Sequence, residues 1–241
     1  MLRCLLCYMA LLVALPAVAA TGMQDVDPWE SFNRSVMRFN DQLDRFVMTP
    51  AAKGYQAVMP EVLDVGITNG FSMLGEIPSA GNAVLQGKPS GAGIALSRFL
   101  VNLTLGFFGL FDVATQLGIE QQKEDFGQTL AVWGVESGPY LVLPFFGPST
   151  LRDGPSMLVD LWSDPLYVDH VPTRNTVYVV KYVDQRADLL KAEGLISGDR
   201  YGFIRDAYLQ RRNYLIKDGK VVDNFGEDEL DDDWLKSDEG F

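Results

Sequence analysis

The segment from Phe99 to Phe111, FLVNLTLGFFGLF, carries no charged side chain in a chain whose formal net charge is −12. A helix of that length extends about 20 Å, whereas the hydrocarbon core of a bilayer is about 30 Å thick. The segment is therefore too short to cross a membrane and too apolar for an ordinary surface exposed to water. It predicts either a buried core helix or an element immersed in one membrane leaflet.

If this segment is helical, its residues separate into two faces. A membrane-embedded set is formed by Leu96, Phe99, Leu103, Phe107, Phe108, Leu110 and Phe111. A narrow polar or small-residue stripe opposite it, which we expect to face lipid head groups or a channel, is formed by Arg98, Asn102, Gly106 and Gly109. The two glycines also predict that regular helix fails near Phe107, which would give a bent or re-entrant element.

The two ends of the chain predict three regions. Residues 1–20 have one positive charge, an apolar run and a small-residue stop, which is the pattern of a cleaved secretory signal. Its removal takes away Cys4 and Cys7, so we expect an exported single domain over residues 21–222 without disulfides. Residues 223–241 hold nine carboxylates against Lys236, a composition typical of an acidic disordered tail.

Hydrophobic periodicity predicts an all-α fold. We expect the first helix to start with Asp27 as N-cap, carry the stripe Phe32, Val36, Phe39, Leu43 and Phe46, and end at Thr49–Pro50. Further helices are predicted at residues 51–58, at residues 60–74 with Gly75 closing, and from Lys88–Pro89 onward. Later helices are predicted around residues 157–162, from Val177 to a close at Gly194, and at residues 201–215. Residues 113–153, rich in Gly and Pro, predict ordered irregular structure with short strands possible.

The residues that would support catalysis are scarce. His170 is the only imidazole in the chain, so catalytic triads and His-rich metal sites have almost no material. Asp153, Asp160, Asp164 and Asp169 are spaced like solvated helix ends and turn residues rather than a calcium loop. A strongly acidic chain is also a poor partner for nucleic acid. We therefore expect no enzyme activity, no metal and no cofactor.

Two groups of arginines allow two interpretations each. Arg205, Arg211 and Arg212 could meet lipid phosphates, but ion pairs along the helix surface with aspartates such as Asp199 or Asp206 are favoured. For Arg152, a local ion pair with Asp153 is favoured in the same way.

Many short motifs, in one order from Asp27 to Leu215, resemble the MlaA (VacJ) family of outer-membrane proteins. They are Asp27-Pro28-Trp29-Glu30, Phe39-Asn40, Leu85-Gln86-Gly87, Arg98-Phe99-Leu100-Val101-Asn102, Asp125-Phe126-Gly127-Gln128-Thr129-Leu130, Gly138-Pro139-Tyr140, Leu143-Pro144-Phe145, Leu151-Arg152-Asp153, Arg186-Ala187 and Gln210-Arg211. In one respect the chain departs from that family, whose members are typically lipoproteins. Ala19-Ala20-Thr21 stands where the lipobox cysteine would be.

The resemblance implies a ring-shaped bundle of short amphipathic helices lying in the periplasmic leaflet of the outer membrane of a Gram-negative bacterium. It implies a central channel that removes mislocalised phospholipids from the outer leaflet, with a trimeric porin and a soluble periplasmic lipid carrier as partners. Phe39 and Asn40 occupy a channel-associated position of the family. The alternative is a soluble periplasmic helical protein that binds lipid or scaffolds envelope assembly, with Phe99 to Phe111 as its core, and a lipid hydrolase is a more distant third.

Overall fold

The computed structural model describes residues 27–166, 168–190 and 198–220. The predicted signal, the acidic tail and the helix closure at Gly194 lie outside these residues. The described part is mostly helical, which confirms the predicted class. Its helices are α1 (Glu30–Leu43), α2 (Thr49–Val58), α3 (Glu61–Leu85), α4 (Pro89–Thr104), α5 (Val113–Gln116), α6 (Phe126–Val132), α7 (Asp153–Ser163), α8 (Val171–Leu190) and α9 (Arg200–Ile216). Strands β1 (Tyr140–Leu143) and β2 (Gly147–Thr150) form one antiparallel hairpin.

Within the described ranges, every helix falls short of the combination of length and apolar character that membrane crossing requires.

The start of α1 differs from the prediction. Asp27 does not cap the helix, because its buried carboxylate accepts hydrogen bonds from the Asn33 amide at 2.8 Å and from the Tyr201 hydroxyl. Thr49–Pro50 does not end the helix either. A π-helical turn over Asp44–Met48 joins α1 directly to α2, and Pro50 lies in the first turn of α2, where no backbone donor is needed.

Helix α3 is longer than predicted, since it runs through Gly75 and Pro78 to Leu85. Small residues of α3 and α4 are buried where the two helices pack as a hairpin, among them Ala80, Ala83, Ala92 and Ala95. Extensive packing against α4 overrides the weak helix propensity of glycine and proline. Helix α4 begins at Pro89 as predicted.

The free edge of β1 is covered by two amide side chains of α1. Asn33 donates to the Tyr140 carbonyl at 3.0 Å and accepts from the Val142 N–H at 2.9 Å. Asn40 repeats this pattern two helical turns further along, donating to Leu143 and accepting from Phe145. Helix α1 therefore satisfies main-chain groups that a third strand would otherwise pair.

The packing contacts between elements form a closed circuit. Helix α1 packs on β1, β2 on α7, α7 on α6, α6 on α3, α3 on α8, and α8 on α2, which is continuous with α1. Polar contacts join the α2–α3–α8 corner, where Asp184 accepts from Tyr55 at 3.0 Å and from Thr68 at 3.1 Å. This circuit agrees with the ring expected from the resemblance.

The interior of this fold is unusually polar. Side chains that are less than 2% exposed include Arg98, Glu76, Gln128, Asn33 and Asp184, and most of the fully buried apolar residues are alanines. Of the predicted stripe on α1, Phe32, Phe39 and Phe46 are exposed, whereas Val36 and Leu43 are half-buried and Val36 packs on the cluster around Met37 and Tyr140. Water-soluble proteins normally bury their largest apolar side chains. In the described part of this protein, many large apolar side chains are exposed while several charged and amide side chains are buried.

We expect Asn33→Ala to lower the free energy of unfolding by about 2–4 kcal/mol, because the buried Val142 N–H, Tyr140 carbonyl and Asp27 carboxylate lose a partner. Urea unfolding of the detergent-solubilised protein, followed by circular dichroism, measures this change. Asn213→Ala, at an exposed position of α9, is the control and should leave stability nearly unchanged. Equal stability of the two variants would show that the amide contacts do not hold the hairpin.

Candidate functional site

The apolar segment folds into a helix followed by a tight loop. Helix α4 ends at Thr104, and residues 105–111, called here the apolar loop, turn back toward α3. The predicted break near Phe107 is confirmed, whereas one continuous helical face from Leu96 to Leu110 is wrong. Phe107 and Phe108 have φ angles of 52° and 59°, in the left-handed region that aromatic residues rarely adopt.

The apolar loop presents its large side chains outward. Phe107 is 65% exposed and Phe108 is 74% exposed. Of the residues predicted to be membrane-embedded, Leu96, Phe107, Phe108, Leu110 and Phe111 are exposed, and Phe99 and Leu103 are half-buried. This placement contradicts the alternative in which the whole segment is the core of a soluble protein, because a core would enclose its phenyl rings.

A buried ion-pair network holds the two ends of the apolar loop. Arg98, which is only 1% exposed, donates through Nε to Glu76 at 2.8 Å and through Nη2 to Asp112 at 3.1 Å. Burial opposes the charge on Arg98, but the ion pairs with Glu76 and Asp112 outweigh it and raise its pKa. Arg98 therefore ties α4 to α3 and to the start of α5.

The other residues of the predicted polar stripe support the same loop. The side-chain amide of Asn102 donates to Asp112 and accepts from the Ala114 N–H, both at 2.9 Å. The main-chain carbonyl of Asn102 accepts from the Gly109 N–H. A Cβ on Gly106 would lie 2.2 Å from the Phe111 carbonyl oxygen, so this position requires glycine. Burial disfavours the charge on Asp112, but hydrogen bonds from Thr115, Asn102 and Arg98 prevail and lower its pKa to about 2.

The structure thus brings Arg98, Asn102, Gly106 and Gly109 together, as predicted, beneath the exposed phenyl rings. The polar groups of Arg98 and Asn102 are bonded to this chain's own groups. Their contact with a lipid head group stays a prediction.

Phe39 and Asn40 are on α1 and contact the turn of the β hairpin. The Phe39 ring makes an edge-to-face contact with Phe145, with 5.4 Å between ring centroids, while Asn40 holds the main chain of the turn. Phe145 has a φ of 69°, and both it and Phe146 are exposed. A second apolar projection is therefore fixed to α1 by these two residues, and their place in a channel stays a prediction.

A cavity of about 210 Å³ lies between α3, the start of α6, α7 and α8. One part of its lining is apolar and consists of Phe71, Leu74, Pro78 and Leu166. The other part is charged and consists of Glu124, Asp125, Asp160, Asp164 and Lys181, and Gly75 completes the lining. A cavity of this volume with both kinds of surface can hold the polar head group of an amphiphilic molecule, with apolar atoms beside it.

Three of the four carboxylates that line this cavity have a cationic partner. Glu124 pairs with Lys88 at 3.3 Å, Asp125 with Arg212 at 2.7 Å, and Asp164 with Lys181 at 2.9 Å. Asp160 accepts a hydrogen bond from the Phe126 N–H at 2.9 Å and forms no ion pair within the described residues. Burial raises the pKa of Asp160 to about 6.

Sequence reasoning missed this cavity. The spacing of Asp160 and Asp164 predicts solvated residues, and the structure differs, since both are half-buried and line the cavity. Their spacing of four residues places them on one face at the end of α7, which was the available signal. Nothing local in the sequence indicated that this face meets α3 and α8.

Two arginine interpretations can be compared with the contacts. Arg152 pairs locally with Asp153 at 2.8 Å, as predicted, and Arg205 pairs with Asp206 at 2.9 Å. Arg212 instead crosses between elements to Asp125 and Asp153. Asp153 is buried in this network, and its interpretation as a solvated helix end is wrong.

A family model and several known proteins match most of the chain. A family model described as MlaA lipoprotein matches residues 25–215. The intermembrane phospholipid transport system lipoprotein MlaA of Haemophilus influenzae is 34% identical over 218 residues, covering 87% of this chain and 86% of the relative. The protein of the same name from Escherichia coli K12 is 33% identical over 201 residues, covering 81% and 80%.

A solved structure described as the structural basis for maintenance of bacterial outer membrane lipid asymmetry is also similar. It aligns with a TM-score of 0.68 at 36% identity and covers 79% of this chain and 98% of that chain.

A mostly helical fold with bonded polar groups inside and phenyl rings outside is typical of a protein surrounded by apolar material. The match to one family model over residues 25–215 shows which family this is. The chain belongs to the MlaA lipoprotein family. The resemblance seen in the sequence is thereby confirmed.

We expect replacement of both Phe107 and Phe108 by Asp to move the protein from the membrane fraction to the fraction released by osmotic shock. Each phenyl withdrawn from lipid loses about 1.5–3 kcal/mol of burial. Aspartate adopts left-handed φ angles readily, so the loop should keep its conformation.

The matched control is Gln210→Asp with Asn213→Asp, which adds the same charge at exposed polar positions of α9. This control should still need detergent for extraction. If the Phe107 and Phe108 variant stays in the membrane fraction with unchanged circular dichroism, the apolar loop is not the membrane contact.

Proposed function

We propose that this protein is a passive phospholipid conduit in the outer membrane. It takes mislocalised phospholipids out of the outer leaflet, passes them to a periplasmic carrier and so maintains lipid asymmetry. Support comes from two relatives named as lipoproteins of an intermembrane phospholipid transport system, both aligned over at least 80% of their length. Further support comes from similarity to a structure concerned with outer membrane lipid asymmetry.

The apolar loop supports a position in the periplasmic leaflet. Leu105, Phe107 and Phe108 are each more than 60% exposed, and each such side chain gains about 1.5–3 kcal/mol when it leaves water for acyl chains. Phe145 and Phe146 add a second apolar projection. Two apolar projections on one ring fix its depth and tilt in the membrane better than one. A rotation of the protein about one projection would expose the other projection to water.

The amphipathic cavity is the observation that best supports the proposed conduit function. Moving an isolated polar group into hydrocarbon costs several kcal/mol, and an unpaired charge costs more. A wall that contains Lys181, Asp164 and Asp160 replaces some of the lost hydration, while Phe71 and Leu74 offer acyl chains an apolar surface. Lipid then moves down its own gradient, and no catalytic group takes part.

The partners that we propose are a trimeric outer-membrane porin and a soluble periplasmic lipid carrier. Exposed apolar side chains outside the two projections offer contact surface for a porin, and they include Val58, Val62, Leu63 and Val65 at the α2–α3 corner. The carrier would receive lipid at the periplasmic side of the ring.

A variant that fills the cavity tests the conduit. A Cβ on Gly75 meets no atom within 4 Å, so Gly75→Trp should place its indole in the cavity without forcing the backbone of α3. In a Gram-negative strain that lacks its own family member, wild-type protein should lower outer-leaflet phospholipid. The Gly75→Trp variant should leave phospholipid at the level of the strain without the protein.

The control is Gly81→Trp, on the same helix but outside the cavity lining, where a Cβ also meets nothing. It should complement like wild type. Full complementation by Gly75→Trp at equal protein level would rule out this cavity as the lipid path.

A further inference from the structure

The charge balance of the cavity leaves one carboxylate unmatched. Lys88, Arg212 and Lys181 pair with Glu124, Asp125 and Asp164, respectively. Among the residues that the structure describes, Asp160 accepts a hydrogen bond from the Phe126 N–H and forms no ion pair, although the charge of Arg212 lies close enough to act on it. An ionised carboxylate that is partly removed from water is destabilised without a counter-charge. A ligand that brings a positive charge to Asp160 would remove that penalty.

The same cavity contains a donor for a negative group. Lys181 donates one hydrogen bond to Asp164 and lies 5.9 Å from the centroid of the Tyr178 ring. An ammonium has three hydrogens, so a phosphate could accept another of them. The cavity thus combines an unmatched acceptor, a cationic donor and an apolar wall. Those three features complement the ammonium, the phosphate and the acyl chains of a zwitterionic phospholipid.

We propose that this cavity selects phospholipids whose head group carries an ammonium, as in phosphatidylethanolamine, over anionic phospholipids such as phosphatidylglycerol. Asp160 accepts the ammonium and Lys181 donates to the phosphate. Phosphatidylglycerol has the phosphate without the ammonium, so it leaves Asp160 unmatched and adds a negative charge beside it. This inference rests on the proposed conduit function and adds the class of lipid that enters.

The test uses the full chain and vesicles of equal parts phosphatidylethanolamine and phosphatidylglycerol. Protein is incubated with the vesicles, purified again in mild detergent, and its lipid is quantified by mass spectrometry. Wild type should retain phosphatidylethanolamine with about tenfold preference, the size expected for one charge-assisted contact. Asp160→Asn should retain both lipids without preference.

Two further variants control for lipid that merely surrounds the protein. Asp169→Asn, at an exposed position outside the cavity, should keep the wild-type preference. Gly75→Trp should lose it, since the cavity is then filled. A preference that persists in Gly75→Trp would place the selection elsewhere and overturn the assignment to this cavity.

The pH dependence gives a measurement on wild-type protein that does not rely on any variant folding. Burial, together with the negative charges of Asp125 and Asp153, raises the pKa of Asp160 to about 6. The hydrogen bond from the Phe126 N–H and the positive charge of Arg212 act in the opposite direction. The other charged groups that line the cavity are Glu124, Asp164 and Lys181. A bound ammonium favours the ionised form and lowers that pKa. The preference should therefore be present at pH of about 8 and lost at pH of about 4.5, where the carboxyl is neutral and both phosphates stay ionised.

The outcomes separate the two proposals. Equal retention of the two lipids by wild type at the higher pH would overturn the selectivity and leave the conduit intact. Failure of the wild-type protein to lower outer-leaflet phospholipid in the complementation assay would overturn the conduit itself, whereas full complementation by Gly75→Trp would overturn only this cavity as the lipid path. A preference that is the same at both pH values would show that Asp160 is not the acceptor.

Discussion

The buried guanidinium of Arg98 is the contact on which the rest of this structure depends. Arg98, on α4, joins Glu76 of α3 to Asp112 at the start of α5. The apolar loop is the segment of chain between α4 and Asp112. Where the surroundings are apolar, exclusion from water gives little force to pack a protein, and internal polar contacts gain importance. Removing one partner of such a buried pair is strongly destabilising, because the other charge stays unmatched. The ion pairs of Arg98 therefore provide stabilisation that contacts between alanine-rich helices alone would not provide.

The same principle explains how strained phenyl rings can face outward. The left-handed φ angles of Phe107 and Phe108 are unfavourable by themselves. They persist because Asn102 holds the main chain on both sides of the turn and Gly106 admits a close backbone approach. At the hairpin, Asn40 holds Phe145 in a comparable way. In both places a side-chain amide inside the protein determines the position of an aromatic ring outside it. The exposed apolar side chains therefore depend on the polar contacts of the interior.

The cavity combines both kinds of surface within the ring. Its charged wall comes from α7, α8 and the residues before α6, and its apolar wall comes mainly from α3. Helix α3 passes Gly75 and Pro78 without ending, which keeps Phe71, Leu74 and Pro78 on one continuous element beside the aspartates. Such a cavity suits a charged head group that has apolar atoms beside it.

The sequence by itself determined the helical class, the helix entry at Pro89, the break near Phe107 and the short strands, because Pro, Gly and apolar spacing act over a few residues. It also gave the family. Only the tertiary structure decided that Asp27 binds Tyr201 rather than a helix end, that α3 continues past Gly75, and that Asp160 and Lys181 share a cavity. These features join residues from about 20 to more than 170 positions apart. Their contacts depend on how the helices close into a ring, which local spacing in the chain does not specify.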